Sequence, residues 1–220
     1  MQKEAVIILA GGSGKRMGLD FPKQFLPLQD KPIVVHTIEK FLLYNPDIQV
    51  ILVLPEAYLS YWHEILDTYA FDNIITVIGG KERFFSAKNG FNYTNAEKIA
   101  IHDAVRPFID RQIIEVGFKF LDYHDVAVPV ILPKSSYRIV ENEVNKAIDR
   151  NKLRIVQTPQ FFRRVVLQKV FSLPYDPLFT DEATAAQKAG YEVYLFPGSE
   201  KNIKITTPFD LKLAHLLINE

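Results

Sequence analysis

Three cations follow a glycine-rich stretch near the start of the chain, and these residue types together favour anion binding. Lys15, Arg16 and Lys23 come after the apolar run from Ala5 to Leu9. Glycine leaves backbone N–H groups bare, so they can surround a phosphate while the cations neutralise it. The glycines of this stretch are Gly11, Gly12, Gly14 and Gly18. A tight turn with solvated charges is the alternative, but such a turn does not need three cations.

This stretch matches neither of two common phosphate-binding patterns. A P-loop has Ser or Thr after its Lys, whereas Arg16 follows Lys15 here. The dinucleotide pattern G-x-G-x-x-G fails because three residues separate Gly14 from Gly18. The sequence therefore predicts a third kind of phosphate loop.

Composition limits the possible classes of protein. A chain of 220 residues fits one large domain, which we expect to span 1–220. Its 26 basic and 26 acidic residues cancel, so we expect no nucleic-acid and no membrane partner. The chain has no cysteine, which excludes disulfides and thiolate nucleophiles and is compatible with a cytoplasmic location.

Apolar runs alternate with amphipathic helical patterns along most of the chain. The runs at 50–54, 74–78, 99–102 and 126–130 read as buried strands. This rhythm predicts an α/β fold with a mostly parallel sheet flanked by helices. Residues 131–154 are polar and contain a possible hairpin, 137–140 with 144–148, which has too little apolar surface to be stable alone.

Two further groups follow predicted strands, where parallel sheets bind ligands. Gly80 permits close backbone approach and Ser86 lies early in a helix, although an ordinary turn before a surface helix fits equally well. Asp103 ends a strand and could hold Mg²⁺ on nucleotide phosphates. A helix cap or an ion pair with Arg106 is its alternative role. For His102 we expect packing or hydrogen bonding.

Several motifs resemble those of one enzyme family. A-G-G-x-G-x-R-M-G followed by P-K-Q-F-L-P-L resembles the signature of sugar-nucleotide pyrophosphorylases and cytidylyltransferases. Its extended form is similar to the family acting on 2-C-methyl-D-erythritol 4-phosphate. The motifs G-G-x-E-R-x-x-S-x-x-N-G, H-D-A-x-R-P, D-R-x-x-L, Q-T-P-Q-x-F and N-I-K-x-T-x-P-x-D-L follow in order. The resemblance therefore covers the whole chain.

The resemblance implies a fold, an activity and an assembly. The fold would be Rossmann-like, of the nucleotide-diphospho-sugar transferase type, with a protruding β-hairpin arm at 131–154. The arm would cross to a second subunit, which implies a homodimer. The activity would be transfer of a cytidylyl group from CTP to the polyol phosphate with Mg²⁺ or another divalent cation.

The resemblance also implies roles for individual residues. Those implied to carry the chemistry are Arg16, Lys23, Arg150 and Lys204. Those implied to bind CTP are Ala10, Gly11, Gly12, Gly14, Lys15, Gly80, Ser86 and Asp103, with Asp103 also the metal ligand. Those implied to bind the polyol phosphate are Arg106, Ser136, Arg150, Thr158 and Thr180. From the residues alone, Arg150 could pair with Asp149, Thr158 could close a turn, Thr180 could cap a helix, and Lys204 could be solvated.

The chain departs from the family pattern in the predicted arm. Ser135 stands where members usually have Asp, and Ser136 stands at the position of a hydroxyl residue. The nearest alternative is ribitol 5-phosphate cytidylyltransferase, which shares most of these motifs, followed by a nucleotidylyltransferase for another base. A non-catalytic nucleotide-binding protein is a third alternative, which the joint presence of Arg16, Lys23, Asp103 and Lys204 argues against.

Overall fold

The computed structural model describes residues 3–12, 21–71 and 73–219. The strands in these ranges are β1 (Glu4–Leu9), β2 (Pro27–Leu28), β3 (Lys31–Pro32), β4 (Gln49–Leu54), β5 (Ile74–Ile78), β6 (Lys98–Asp103), β7 (Val126–Ile131), β8 (Tyr137–Glu141), β9 (Val144–Ile148), β10 (Ile155–Val156), β11 (Gln160–Arg163) and β12 (Tyr194–Pro197). The helices are α1 (Ile33–Tyr44), α2 (Leu59–Tyr69), α3 (Arg83–Phe91), α4 (Arg111–Phe120), α5 (Arg164–Val170), α6 (Glu182–Lys188) and α7 (Pro208–Leu217). None of these helices is both long and apolar enough to cross a membrane.

The main sheet has the strand order β10-β7-β11-β6-β1-β4-β5, and β12 also pairs with β7. The pairs β6–β1, β1–β4 and β4–β5 are parallel. Leu9 at the end of β1 is in register with Val53 of β4 and Asp103 of β6. The predicted mostly parallel α/β sheet is confirmed, and three of its strands end side by side.

The buried strands separate two apolar layers. Along β1, Val6 and Ile8 belong to one core cluster, whereas Ala5 and Ile7 belong to the other. The first cluster contains residues of α1, α2 and α4, and the second contains residues of α3, α5 and α6. Because successive strand side chains point to opposite faces, a continuous apolar strand needs helices on both sides.

The strand β11 was not predicted. It lies antiparallel between β6 and β7, so the parallel pattern is interrupted at the centre of the sheet. Its Phe161 packs against Gly117 of α4, where an added Cβ would come within 2.5 Å of the ring. Its short length and its position directly after a Thr-Pro turn concealed the strand, because a run this short carries little periodicity.

The predicted hairpin is present as β8 and β9, which form a separate two-stranded sheet. Asn142 and Glu143 connect the strands with φ values of 47° and 66°, as in a two-residue turn with both centres left-handed. The residues of β8 are all exposed, including Ile139 and Val140. The strand β8 therefore adds no buried face of its own.

Candidate active site

A cavity of about 250 Å³ lies where β1, β5 and β6 end. Its position agrees with the rule that parallel sheets bind ligands beyond the carboxyl ends of their strands. The lining residues come from separate segments of the chain: Leu9, Ala10, Gly11, Gly12, Lys23, Gln24, Gly80, Lys81, Glu82, Arg83, Ser86, Asp103, Val105 and Lys204. The cavity thus brings together eight of the predicted site residues.

Asp103 is the electrostatic centre of the cavity. Its Oδ2 lies 2.9 Å from Lys204 Nζ and 3.3 Å from Arg106 Nε, and its Oδ1 lies 3.9 Å from Arg83 Nε. Burial would raise the pKa of Asp103, but Arg83, Lys204 and Arg106 outweigh burial and hold this pKa well below its usual value. The carboxylate therefore stays ionised, with a surplus of positive charge around it.

Backbone contacts bring Lys204 to Asp103 from a distant part of the sequence. The carbonyl of Asn202 accepts a hydrogen bond from Arg106 Nη1 at 2.8 Å. The amide of Ile205 donates to the carbonyl of Val105 at 2.9 Å. These two bonds attach the chain on both sides of Lys204 to the loop after β6, so its ammonium group reaches the cavity.

Thr158 supports Asp103 from inside the protein. Its hydroxyl accepts a hydrogen bond from the Asp103 amide at 3.1 Å and lies 3.0 Å from His102 Nδ1. Burial lowers the pKa of His102 to about 3, so the ring is neutral. His102 Nε2 lies 3.2 Å from the carbonyl of Arg106 and must donate to it, which leaves Nδ1 to accept the Thr158 proton.

This arrangement bears directly on the predicted contact between Thr158 and phosphate. A hydroxyl has one proton, and in this structure the proton of Thr158 is committed to His102. Thr158 is buried and does not line the cavity, within the residues that are described. A phosphate contact would require this hydrogen bond to break, while His102 has the hydrogen-bonding role that the sequence suggested.

The side chain of Gln24 binds the backbone directly after β1. Its Nε2 donates to the carbonyl of Ala10 at 2.5 Å, and its side chain is buried. The neighbouring Lys23 is only 7% exposed and passes over Gly12, where an added Cβ would lie 3.5 Å from Lys23 Cε. The glutamine thus fixes the short helical turn that carries Lys23 into the cavity.

The second predicted loop is held by Ser86 of α3. Ser86 Oγ accepts from the Gly80 amide at 3.1 Å and donates to the carbonyl of Glu82 at 3.1 Å. An added Cβ at Gly80 would lie 2.4 Å from Phe85 Cβ, so only glycine fits there. Both residues line the cavity, as predicted, with Ser86 shaping the loop from behind.

Other predicted site residues lie apart from this cavity or outside the described residues. Ser136 and Arg150 are exposed on the arm, and Arg150 Nη1 donates to the carbonyl of Lys134 at 2.9 Å. Thr180 precedes α6, whose N-cap is Asp181 because that carboxylate accepts from the Thr184 amide. The remaining three, Gly14, Lys15 and Arg16, lie outside the described residues.

Three residues of the site had no assigned role in the sequence analysis. Arg83 lines the cavity and contacts Asp103, Gln24 binds Ala10, and Glu182 pairs with Arg83. Arg83 belongs to a motif that the sequence analysis quoted, and its position shortly after a strand and two glycines was an available signal. An acid at a helix start is common, so Glu182 gave no signal of its own.

Comparisons with known proteins agree over the full length of the chain. The sequence model of the family described as 2-C-methyl-D-erythritol 4-phosphate cytidylyltransferase matches residues 4–220. A protein of that name from Phocaeicola vulgatus is 40% identical over 215 residues, covering 97% of this chain and 98% of that protein. One from Bacteroides thetaiotaomicron is 38% identical over 218 residues, covering 98% and 100%.

Solved structures show the same fold. The 2-C-methyl-D-erythritol 4-phosphate cytidylyltransferase of Francisella tularensis has a TM-score of 0.81 at 28% identity and covers 97% of this chain and 99% of that one. The 4-diphosphocytidyl-2C-methyl-D-erythritol synthase of Anaerococcus prevotii has a TM-score of 0.83 at 22% identity, covering 100% and 99%, and it bears on the fold alone. The chain belongs to the 2-C-methyl-D-erythritol 4-phosphate cytidylyltransferase family.

Proposed function

We propose that the protein transfers, in this cavity, a cytidylyl group from CTP to 2-C-methyl-D-erythritol 4-phosphate. The products would be pyrophosphate and 4-diphosphocytidyl-2-C-methyl-D-erythritol, the latter for isoprenoid synthesis. Membership of the family makes the protein a CTP-dependent nucleotidyltransferase. The observation that carries the proposal is the convergence of Arg83, Arg106 and Lys204 on Asp103, in the cavity that Gly11 and Gly12 also line. The names of the relatives favour this substrate over ribitol 5-phosphate.

The chemistry requires charge stabilisation more than a base. The phosphate monoester of the polyol is largely ionised near neutral pH, because its second pKa is about 6. It attacks the α-phosphorus of CTP in line as the bond to pyrophosphate breaks. Lys23 and Lys204 neutralise the charge that develops on the α-phosphate and the leaving group, and we assign Arg16 the same role. Preorganised cations of this kind account for the rate.

We place the CTP phosphates against the amides that follow β1. Ala10, Gly11 and Gly12 line the cavity, and Gly12 adjoins the Lys23 side chain. Gly80 with Ser86 forms the opposite wall, and we assign this wall to the base and ribose. Gly14 and Lys15 would complete the phosphate loop. This division puts the α-phosphate between Lys23 and Lys204.

We propose that Mg²⁺ arrives with the nucleotide. Among the described residues there is no group of three or more His, Cys, Asp or Glu side chains arranged to hold a metal. Mg²⁺ often binds through one or two carboxylates together with substrate phosphates, and the ionised Asp103 fits that donor set. The metal would neutralise and orient the phosphates, and Asp103 would be its protein ligand.

We propose that a homodimer completes the polyol-phosphate site. Ser136 and Arg150 lie on the exposed arm, whereas Arg106 and Asp103 lie in the cleft. The apolar residues Ile139, Val140 and Val144 are exposed on the arm and would be covered by a second copy. Residues 1–220 would then form one catalytic unit, with 131–154 contributing to the partner's site. Thr180 remains a predicted contact of the polyol phosphate, and Thr158 would be one only if its hydrogen bond to His102 breaks. The cytoplasm remains the predicted location.

The test is pyrophosphate release with Mg²⁺ and CTP, offering methylerythritol phosphate and ribitol phosphate separately. We expect turnover with the first polyol only, and none when ATP, GTP or UTP replaces CTP. Turnover with ribitol phosphate but not with methylerythritol phosphate would make ribitol phosphate the substrate and leave the proposed mechanism unchanged. Absence of turnover with every pair, from a protein that binds CTP, would overturn the enzymatic proposal.

A further inference from the structure

The carboxylate of Glu182 is buried without being needed to cap its helix. Glu182 is 2% exposed and is the first residue of α6. The cap is provided by Asp181, which accepts from the Thr184 amide at 2.8 Å. Gln160 also supports this helix start, because its Oε1 accepts from the Ala183 amide at 3.1 Å. A buried charge is costly, so its partner indicates what it is for.

That partner is Arg83 of the cavity wall. Arg83 Nη1 donates to Glu182 Oε2, while Nε of the same guanidinium lies 3.9 Å from Asp103 Oδ1. A planar guanidinium can contact two carboxylates at once and keep N–H groups for a third acceptor. The Arg83 side chain is 29% exposed, so part of it faces the cavity. One guanidinium thus connects the start of α6 to the end of β6.

Glu182 also limits how closely Arg83 approaches Asp103. Lys204 and Arg106 contact Oδ2 of Asp103 at hydrogen-bonding distances, whereas Arg83 stays at 3.9 Å from Oδ1. Glu182 holds the other side of the guanidinium, so Arg83 cannot close fully on Asp103. Without that anchor, we expect Arg83 to move closer to Asp103, the other carboxylate with which it forms an ion pair.

We propose that Glu182 is a positioning residue: it orients Arg83, and through Arg83 it sets the geometry of Asp103 in the catalytic cavity. The proposal rests on the proposed function, because the geometry matters for the reaction only if the cavity transfers the cytidylyl group. Glu182 acts without touching substrate. Its position beside Asp181 and Thr180 makes the α6 start part of the site.

The test is a double-mutant cycle on Glu182 and Arg83, read by steady-state pyrophosphate release. We expect Glu182→Gln to lower kcat by about 10- to 100-fold, the range for losing a residue that orients a site group, with a smaller change in the KM for CTP. In an Arg83→Gln background, Glu182→Gln should change kcat less than about twofold, because coupled residues are non-additive. Glu182→Asp tests whether a shorter carboxylate restores part of the rate.

The melting temperature of every variant separates positioning from folding. Glu39→Gln is the control, because Glu39 pairs with Lys31 and neither residue lines the cavity, so kcat should be unchanged. The proposal would be overturned if Glu182→Gln lowered kcat by the same factor in the wild-type and the Arg83→Gln backgrounds. It would also be overturned if the loss of kcat disappeared in an assay run well below the melting temperature of the variant. A wild-type protein without turnover would instead overturn the proposed function, so the two failures are distinguishable.

Discussion

Among the described cations, Lys23 has the position best suited to stabilising the charge of the transition state. It is 7% exposed, lines the cavity and lies over Gly12. We expect Lys23→Ala to lower kcat by about 10²–10³-fold with a smaller change in CTP affinity, as when one preorganised donor is lost. Steady-state kinetics and CTP titration would measure both, with Lys188→Ala, an exposed lysine on α6, as the control. An unchanged kcat with weakened CTP binding would contradict the role.

Thr158 allows a second prediction about a single residue. Thr158→Val keeps the shape but removes the hydroxyl that joins the Asp103 amide to His102. Leaving such buried groups unpaired costs about 1–3 kcal/mol, so we expect a lower free energy of unfolding and a lower kcat. Thr158→Ser should retain most of both. If Thr158 instead bound the substrate phosphate, the valine variant would raise the KM for the polyol phosphate at unchanged stability.

The sequence was informative about a residue where its type permits only a few kinds of chemistry. Asp103 at a strand end, glycines before cations, and a buried His102 were each interpreted from their neighbours along the chain. Glu182 could not be interpreted in this way, because an acid in the first turn of a helix is ordinary. Its burial against Arg83 depends on how α3 and α6 pack, which no local pattern contains.

The loop between β5 and α3 is the element whose backbone shape matters most. An alanine Cβ at Gly80 would lie 2.4 Å from Phe85 Cβ, so α3 or the loop must move. We expect Gly80→Ala to lower the melting temperature and weaken CTP binding, since overpacking costs about 1–3 kcal/mol. Calorimetry of unfolding and CTP titration test this. Gly79→Ala, with its nearest contact at 3.1 Å to Ser86 Oγ, should be milder, and equal effects would contradict the steric explanation.

Elements were predictable in proportion to their periodicity. The continuous apolar runs became β4 and β5, and the amphipathic pattern after Pro32 became α1. The start of α7 also follows from local sequence, because Thr207 and Asp210 form a reciprocal capping box with Pro208 in the first turn. β11 was missed because four residues between a turn and a helix carry little periodic signal, while its antiparallel place follows from long-range pairing.

At the scale of the whole molecule, the proposed arm exchange predicts complementation between subunits. We expect Lys23→Ala and Arg150→Ala to be impaired separately. Mixed refolding of the two should restore up to about a quarter of wild-type activity, because half of the symmetric dimers are mixed and each of these has one intact site. Activity after mixing, alongside the molar mass in solution, measures this. No recovery from confirmed mixed dimers would place Arg150 in its own subunit's site.

Reading the sequence alone was enough for the α/β class, for the loops in which a ligand site was predicted, and for the ordered motifs that identify the family. These features are local, because hydrophobic period, glycine content and helix caps depend on neighbouring residues. The folded structure was needed to show that Arg83, Arg106 and Lys204 share Asp103, that the Thr158 hydroxyl bonds His102, and that Glu182 is buried. Charges and hydrogen bonds choose partners by distance in space, and packing of the complete sheet and its helices sets those distances.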